Sequence, residues 1–82
     1  MQVLYFAWLR ERIGTAGEEI DPGAAATAQD LIGALAARSE AHAAAFEDIS
    51  AIRVAIDQQM VDLDASIAGA REVAFFPPVT GG

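Results

Sequence analysis

An α+β fold is predicted for this chain because strand-like segments lie on both sides of one long amphipathic helix. The 82 residues suit one small domain with a thin core. Their hydrophobic fraction of 54% is too high for a disordered chain. The elements are predicted in the order β, β, α, β, β, β.

The first strand is predicted from an apolar run, VLYFAWL, from Val3 to Leu9. Because this run lacks in–out alternation, it indicates a central strand covered on both faces. Leu9 and Ile13 lie four residues apart, which predicts a short helix after the strand, with Gly14 as its C-terminal stop. Residues 17–20 predict a weaker second strand.

The main helix is predicted to begin at Thr27, whose hydroxyl can cap it, with Asp30 three residues later. Leu31, Ile32 and Leu35 follow at helical spacing and predict an amphipathic helix over residues 27–38. Residues 40–47 predict a second, looser helical turn, in which Phe46 is the large apolar residue.

Three strands are predicted in the second half of the chain. Residues 51–56 predict a strand that turns at Asp57-Gln58 and returns over residues 59–61, although Asp-Gln is a poor hairpin turn. Ile67 is expected to enter the core from a loop, and Gly69 to mark a tight bend. Residues 71–76 predict the last strand.

The first and last strands have the most apolar sequences, so they are expected to be neighbours in the middle of the sheet. Such a mixed sheet, with one main helix packed across it, is the β-grasp arrangement. We expect residues 1–76 to form this domain and residues 77–82 to form an extended C-terminal tail.

Composition argues against several functions. The chain has no cysteine and one histidine, His42, so we expect no metal site and no bound cofactor. A net charge of −7 argues against nucleic acid, whose phosphates need a basic surface. No apolar run approaches the ~18 residues of a membrane span. Without a secretion signal either, the predicted location is the cytoplasm.

The C-terminal sequence PPVTGG, residues 77–82, is typical of a thin, extended segment. Pro77 and Pro78 cannot donate ladder hydrogen bonds, so the chain is expected to leave the sheet there. Val79 and Thr80 favour extended backbone. Gly81 and Gly82 have no Cβ, so this end could enter a channel too narrow for side chains.

Such an end has two interpretations. It can be a mobile end without function, in a domain that only binds partners. Alternatively, the carboxylate of Gly82 is the reactive group. A carboxylate needs activation, typically as an acyl adenylate made from ATP. Sulfide then gives a thiocarboxylate, whereas a lysine amine gives an isopeptide bond.

The chain resembles a known family, the MoaD-type sulfur carriers, which are ubiquitin-like small subunits of molybdopterin synthase. The resemblance is carried by YFAWLRERIG, residues 5–14, and above all by REVAFFPPVTGG, residues 71–82. It covers nearly the whole chain. Sulfur carriers for thiamin or tRNA thiolation, and ubiquitin-like modifiers, also end in Gly-Gly and remain alternatives.

The resemblance implies a sulfur donor without turnover of its own. Gly82 would be adenylated by an activating enzyme at the expense of ATP and then converted to a thiocarboxylate. The tail would enter a pocket of the large synthase subunit, in an assembly of two small and two large subunits. There two carriers would supply the dithiolene sulfurs that turn cyclic pyranopterin monophosphate into molybdopterin.

The resemblance also implies a docking surface at Phe6, Met60 and Phe76, with Arg10 facing the activating enzyme. Each has a structural alternative: the aromatic residues could be core, and the arginine could be solvated. The sequence departs from the family at AGAREV, residues 68–73, where DGDEV is usual, and at Asp57, where Asn is usual. A partner contact through the first of these loops is therefore in doubt.

Overall fold

A computed structural model describes residues 1–78 of the chain. It contains one mixed sheet of five strands in the order β2-β1-β5-β3-β4. The strands are β1 at Gln2–Tyr5, β2 at Gly17–Glu19, β3 at Arg53–Ile56, β4 at Gln59–Val61 and β5 at Glu72–Phe76. The N-terminal strand and the last strand are therefore neighbours, as the sequence predicts.

Strand β5 lies at the centre of the sheet. It pairs in parallel with β1, with Leu4 opposite Ala74, and antiparallel with β3, with Ala55 opposite Ala74. The outer strands β2 and β4 are both antiparallel to their neighbours. These registers place Leu4, Ala74 and Ala55 in one row across the sheet.

Three helices accompany the sheet: α1 at Trp8–Ile13, α2 at Ala28–Ala36 and α3 at Glu40–Ala45. The Thr27 hydroxyl caps α2 by accepting a bond of 3.1 Å from the Asp30 amide, as predicted.

Ile67 is buried, and Gly69 has a φ of 75°, which supports the predicted core residue and bend. The core is built from large apolar side chains, chief among them Tyr5, Leu9, Leu31, Leu35, Val54, Val73 and Phe75. This is the β-grasp fold.

The prediction that Val3 to Leu9 forms one strand covered on both faces is wrong. Strand β1 ends at Tyr5 and alternates, with Val3 and Tyr5 buried and Leu4 half-buried. Ala7 has a φ of 54° and a ψ of −133°, a conformation that L residues rarely adopt, and it turns the chain into α1. The apolar run therefore changes from strand to helix at this residue.

Several boundaries also differ by one or two residues: β2 ends at Glu19, α3 ends at Ala45 and β5 begins at Glu72. Ala51 belongs to a 3-10 turn at Ile49–Ala51, so β3 begins two residues later than predicted. Helix α2 ends at Ala36, and its capping residue Ala37 follows. The predicted hairpin turn is present: Asp57 and Gln58 both have positive φ, 48° and 71°, as a tight two-residue turn requires.

Candidate functional site

The root of the tail is the point where β5 ends at Phe76 and the chain continues into Pro77-Pro78. These prolines lie along a groove of about 350 Å³. Its lining comprises Phe6, Ala7, Arg53, Met60, Phe76, Pro77 and Pro78. The predictions for Val79, Thr80, Gly81 and Gly82 lie outside the described residues.

One face of the sheet lies opposite the buried side chains, and we call it the open face. Because strand side chains alternate, Leu4, Ala74, Ala55 and Met60 form a row across four strands of this face. Ala55 and Ala74 are nearly inaccessible, while Met60 is 63% exposed. This row leads into the groove at the tail root, because Met60 lines both.

Phe6 and Phe76 form an aromatic pair next to this row. Their rings stack at 4.7 Å between centroids with an angle of 8° between planes. Phe6 is 40% exposed, and Phe76 is half-buried. Neither belongs to the core, so the predicted structural alternative for these two residues is wrong. Phe6, Met60 and Phe76 therefore lie together at the tail root.

The backbone around Phe6 explains why its ring is held at this position. The Phe6 amide donates to the Phe75 carbonyl at 3.2 Å, which extends the ladder between β1 and β5 by one residue. The Phe6 carbonyl accepts from the Leu9 amide, also at 3.2 Å. The strained turn at Ala7 then separates Phe6, on the open face, from Leu9, which is buried in the core.

Arg10 does not line the groove. It is exposed on α1, where the neighbouring Arg12 guanidinium lies 5.0 Å from the centroid of the Trp8 ring. Its predicted contact with an activating enzyme stays a prediction.

Arg53 is the residue of this site that sequence reasoning missed. It faces Phe76 across the β3–β5 ladder and lines the groove beside Pro77. The available signal was a lone charged residue in an otherwise apolar strand sequence, AIRVAI. Its position next to the tail depends on the strand register, which the sequence leaves open.

The buried polar residues lie on the other side of the sheet. His42 is 8% exposed, and its Nε2 lies 2.6 Å from Glu18 Oε2. The Tyr5 hydroxyl donates to the same oxygen at 2.8 Å, and Ser39 Oγ lies 2.7 Å from His42 Nδ1. Ser39 also caps α3 by accepting from the His42 amide. These contacts join β2 to α3, which indicates that His42 has a structural role.

Two pKa values in this network differ from their usual ranges. Burial, the hydrogen bond to Glu18 and the charge of Glu18 together raise the pKa of Tyr5. Desolvation would raise the pKa of Glu18. The hydrogen bonds from His42 and Tyr5, with the charges of His42 and Arg38, outweigh it and hold that pKa below its usual value. Within residues 1–78, no group of three or more His, Cys, Asp or Glu could hold a metal ion.

The sequence model of the ThiS family matches residues 3–82, nearly the whole chain. The chain belongs to the ThiS family. Its curated relatives include the molybdopterin synthase sulfur carrier subunit of Escherichia coli, which is 40% identical over 82 residues. That match covers 100% of this chain and 99% of the relative. The corresponding subunit of Haemophilus influenzae is 38% identical with the same coverage.

Solved structures support the ubiquitin-like β-grasp fold. The crystal structure of SAMP1 from Haloferax volcanii matches with a TM-score of 0.73 and 31% identity. The match covers 100% of this chain and 98% of SAMP1. The 40% and 38% identities to the two curated carrier subunits confirm the predicted resemblance to MoaD-type carriers. No helix within the described part of the chain has the length and apolar character that crossing a membrane requires.

Proposed function

We propose that this chain is the sulfur-carrier subunit of a molybdopterin synthase and carries its sulfur as a thiocarboxylate on Gly82. The observation that carries the proposal is the 40% identity to the Escherichia coli carrier over the full chain. The structure adds support, because the apolar open face and the groove meet where the chain leaves β5 toward the tail.

The chemistry requires activation because a carboxylate is a poor acyl donor. An adenylating enzyme would couple the Gly82 carboxylate to ATP, releasing pyrophosphate and leaving an acyl adenylate. Sulfide would then attack the acyl carbon, forming a carbon–sulfur bond as AMP leaves with the electrons of the broken carbon–oxygen bond. The resulting thiocarboxylate is a soft nucleophile whose sulfur would bond to a pterin carbon. Water would then cleave the bond between this sulfur and the Gly82 acyl carbon, which leaves the sulfur on the pterin and restores the Gly82 carboxylate.

The large synthase subunit would supply the substrate pocket and the catalytic groups, while this chain supplies the sulfur and a docking surface. Phe6, Met60 and Phe76 would bury their apolar area against the partner. Aromatic and methionine side chains are enriched at such interfaces. Arg10, exposed on α1, would meet the activating enzyme. We place both encounters in the cytoplasm.

Mass spectrometry of the C-terminal peptide tests the proposal. After incubation with the activating enzyme, ATP and a sulfur source, we expect one oxygen of the Gly82 carboxylate to be replaced by sulfur. The thiolated chain, combined with a large subunit and cyclic pyranopterin monophosphate, should yield molybdopterin. Deleting Gly82 should abolish product formation without changing the thermal unfolding temperature. A Gly82-deleted chain that still supports synthesis would refute the proposal.

A second candidate function is protein modification, since a structural relative from H. volcanii is called small archaeal modifier protein 1. In that case the activated glycine would be attacked by lysine amines of other proteins. The same mass-spectrometric experiment in a cell extract separates the two functions. Modification predicts chain remnants on lysines, whereas sulfur carriage predicts thiocarboxylate alone.

A further inference from the structure

The groove at the tail root has one charged side chain in its lining, Arg53. The remaining lining residues are apolar, and the chain as a whole carries a net charge of −7. A cation at the edge of an apolar surface costs little in the free protein, because water solvates it. When a partner covers the surface and removes that water, the cation loses its solvation and needs a partner group of opposite charge.

Arg53 is held in place by the backbone before β3. Its Nη1 lies 3.2 Å from the Ser50 carbonyl oxygen and 3.3 Å from the Ile52 carbonyl oxygen. The 3-10 turn that presents Ser50 is itself capped by Asp48, which accepts from both the Ser50 amide and hydroxyl. The guanidinium is therefore oriented before any partner arrives.

These two bonds involve a single nitrogen, whereas a guanidinium has five N–H donors in a planar fork. Within residues 1–78, the ion pairs of the chain are Met1–Glu19, Arg38–Glu18 and His42–Glu18, and none includes Arg53. The described part of the chain thus leaves this fork without a carboxylate. A carboxylate is the group that the fork matches in charge and in bidentate geometry.

We propose that Arg53 binds an aspartate or glutamate of the large synthase subunit, the partner that covers the open face. This inference rests on the proposed function and extends it. The partner should carry an apolar patch with one carboxylate at the edge nearest the pocket that receives the tail. Apolar contact is non-directional, so a charged pair at one edge fixes how the two surfaces are turned. Arg53 is then a positioning residue that aims the tail at the partner's pocket.

Equilibrium binding to the large synthase subunit, at low and high salt, tests the inference. We expect Arg53→Glu to weaken binding by about tenfold or more and Arg53→Gln by about threefold, with both effects reduced by salt. Arg71→Glu makes the same charge change at the other end of β5 and should stay within about twofold of wild type. Thermal unfolding verifies that each variant is folded.

A charge reversal in the partner provides the specific readout. When each Asp and Glu of the partner surface is changed to Lys in turn, one substitution should restore binding to Arg53→Glu. If Arg53→Glu binds like wild type while Phe76→Asp does not, docking stands and the role of Arg53 is refuted. If Phe76→Asp also binds like wild type, the docking face itself is wrong, and this inference fails with it.

Discussion

Glu18 shows how one side chain can join two distant parts of a small domain. It lies in β2, and its carboxylate contacts Tyr5 and His42, with Arg38 Nη2 3.4 Å from the other oxygen. His42 follows 24 residues later in the chain, so the contact crosses from the sheet to α3. These three neighbours favour the charged form of the Glu18 carboxylate over the protonated form.

The first prediction concerns the pH dependence of stability through Glu18. Because folding lowers its pKa, the carboxylate stabilises the folded state above the pKa of the unfolded chain, near 4.5. That contribution is lost as the pH falls through the lower, folded-state pKa. We expect Glu18→Gln to reduce the free energy of unfolding by about 1–3 kcal/mol at pH 7.

Urea denaturation of both proteins at pH 7 and at pH 3.5 measures this effect. The difference between wild type and Glu18→Gln should shrink at the lower pH, because Glu18 of the unfolded chain is then largely protonated and part of the stabilisation by the charged form is lost. Glu19→Gln serves as the control, since the Glu19 side chain is 75% exposed and contacts only the N-terminal amine. A difference that stays constant with pH would contradict the charged role of Glu18.

At the scale of elements, the β3–β4 hairpin is tied to β5 through its turn. Asp57 Oδ1 accepts from the backbone amides of Arg71 and Glu72, each at 3.0 Å. The Asp57 amide donates in turn to the Glu72 carbonyl at 3.0 Å. The turn therefore fixes where the last strand begins, and with it the register that brings Phe76 opposite Arg53.

The second prediction tests this link. Asp57→Ala removes the acceptor of two exposed amides and puts alanine at a φ of 48°, so it should lower the free energy of unfolding by about 1–2 kcal/mol. Asp57→Asn keeps an acceptor oxygen and should cost less than half as much. Chemical denaturation measures both, with Asp64→Ala, an exposed acidic residue outside the turn, as control. Equal losses in the two Asp57 variants would show that the charge matters more than the acceptor.

Prediction from sequence succeeded where the signal is local. The Thr27 cap, the Gly69 bend and the turn at Asp57-Gln58 each follow from a few adjacent residues, and the structure contains all three. The apolar run from Val3 to Leu9 misled because nothing in it marks Ala7, whose positive φ turns the chain from β1 into α1.

The candidate site was predicted only through the family resemblance. That resemblance implied the tail and a docking surface at Phe6, Met60 and Phe76, and the structure brings these three side chains together in one groove. The role of Arg53 depends on strand register, and the Glu18–His42 contact depends on how α3 packs against β2. Such contacts between remote residues arise from the tertiary fold, which local patterns do not encode.

At the scale of the whole molecule, the two faces of the sheet differ: the core side chains of β1, β3 and β5 lie on one face, and the row of Leu4, Ala74 and Ala55 lies on the other. Adjacent residues of β5 show this division most directly. Phe75 is fully buried and packs edge-on against Phe46 at 5.3 Å between ring centroids. Phe76 faces the other way, half-buried in its stack with Phe6. One strand thus contributes alternate side chains to the core and to the open face.

The third prediction follows from this division. Phe75→Ala should lower the free energy of unfolding by about 3–5 kcal/mol, because it opens a cavity in a thin core. Phe76→Ala should lower it by only about 1 kcal/mol, since it mainly loses an exposed aromatic stack. Once the unfolded fraction of each variant is accounted for, Phe76→Ala should weaken binding to the large subunit more than Phe75→Ala does. Denaturation curves and binding isotherms on the same preparations make the comparison direct. If each variant loses stability and binding affinity in the same proportion, the two faces of the sheet are energetically coupled. The open face would then contribute to folding and would not be a separate binding surface.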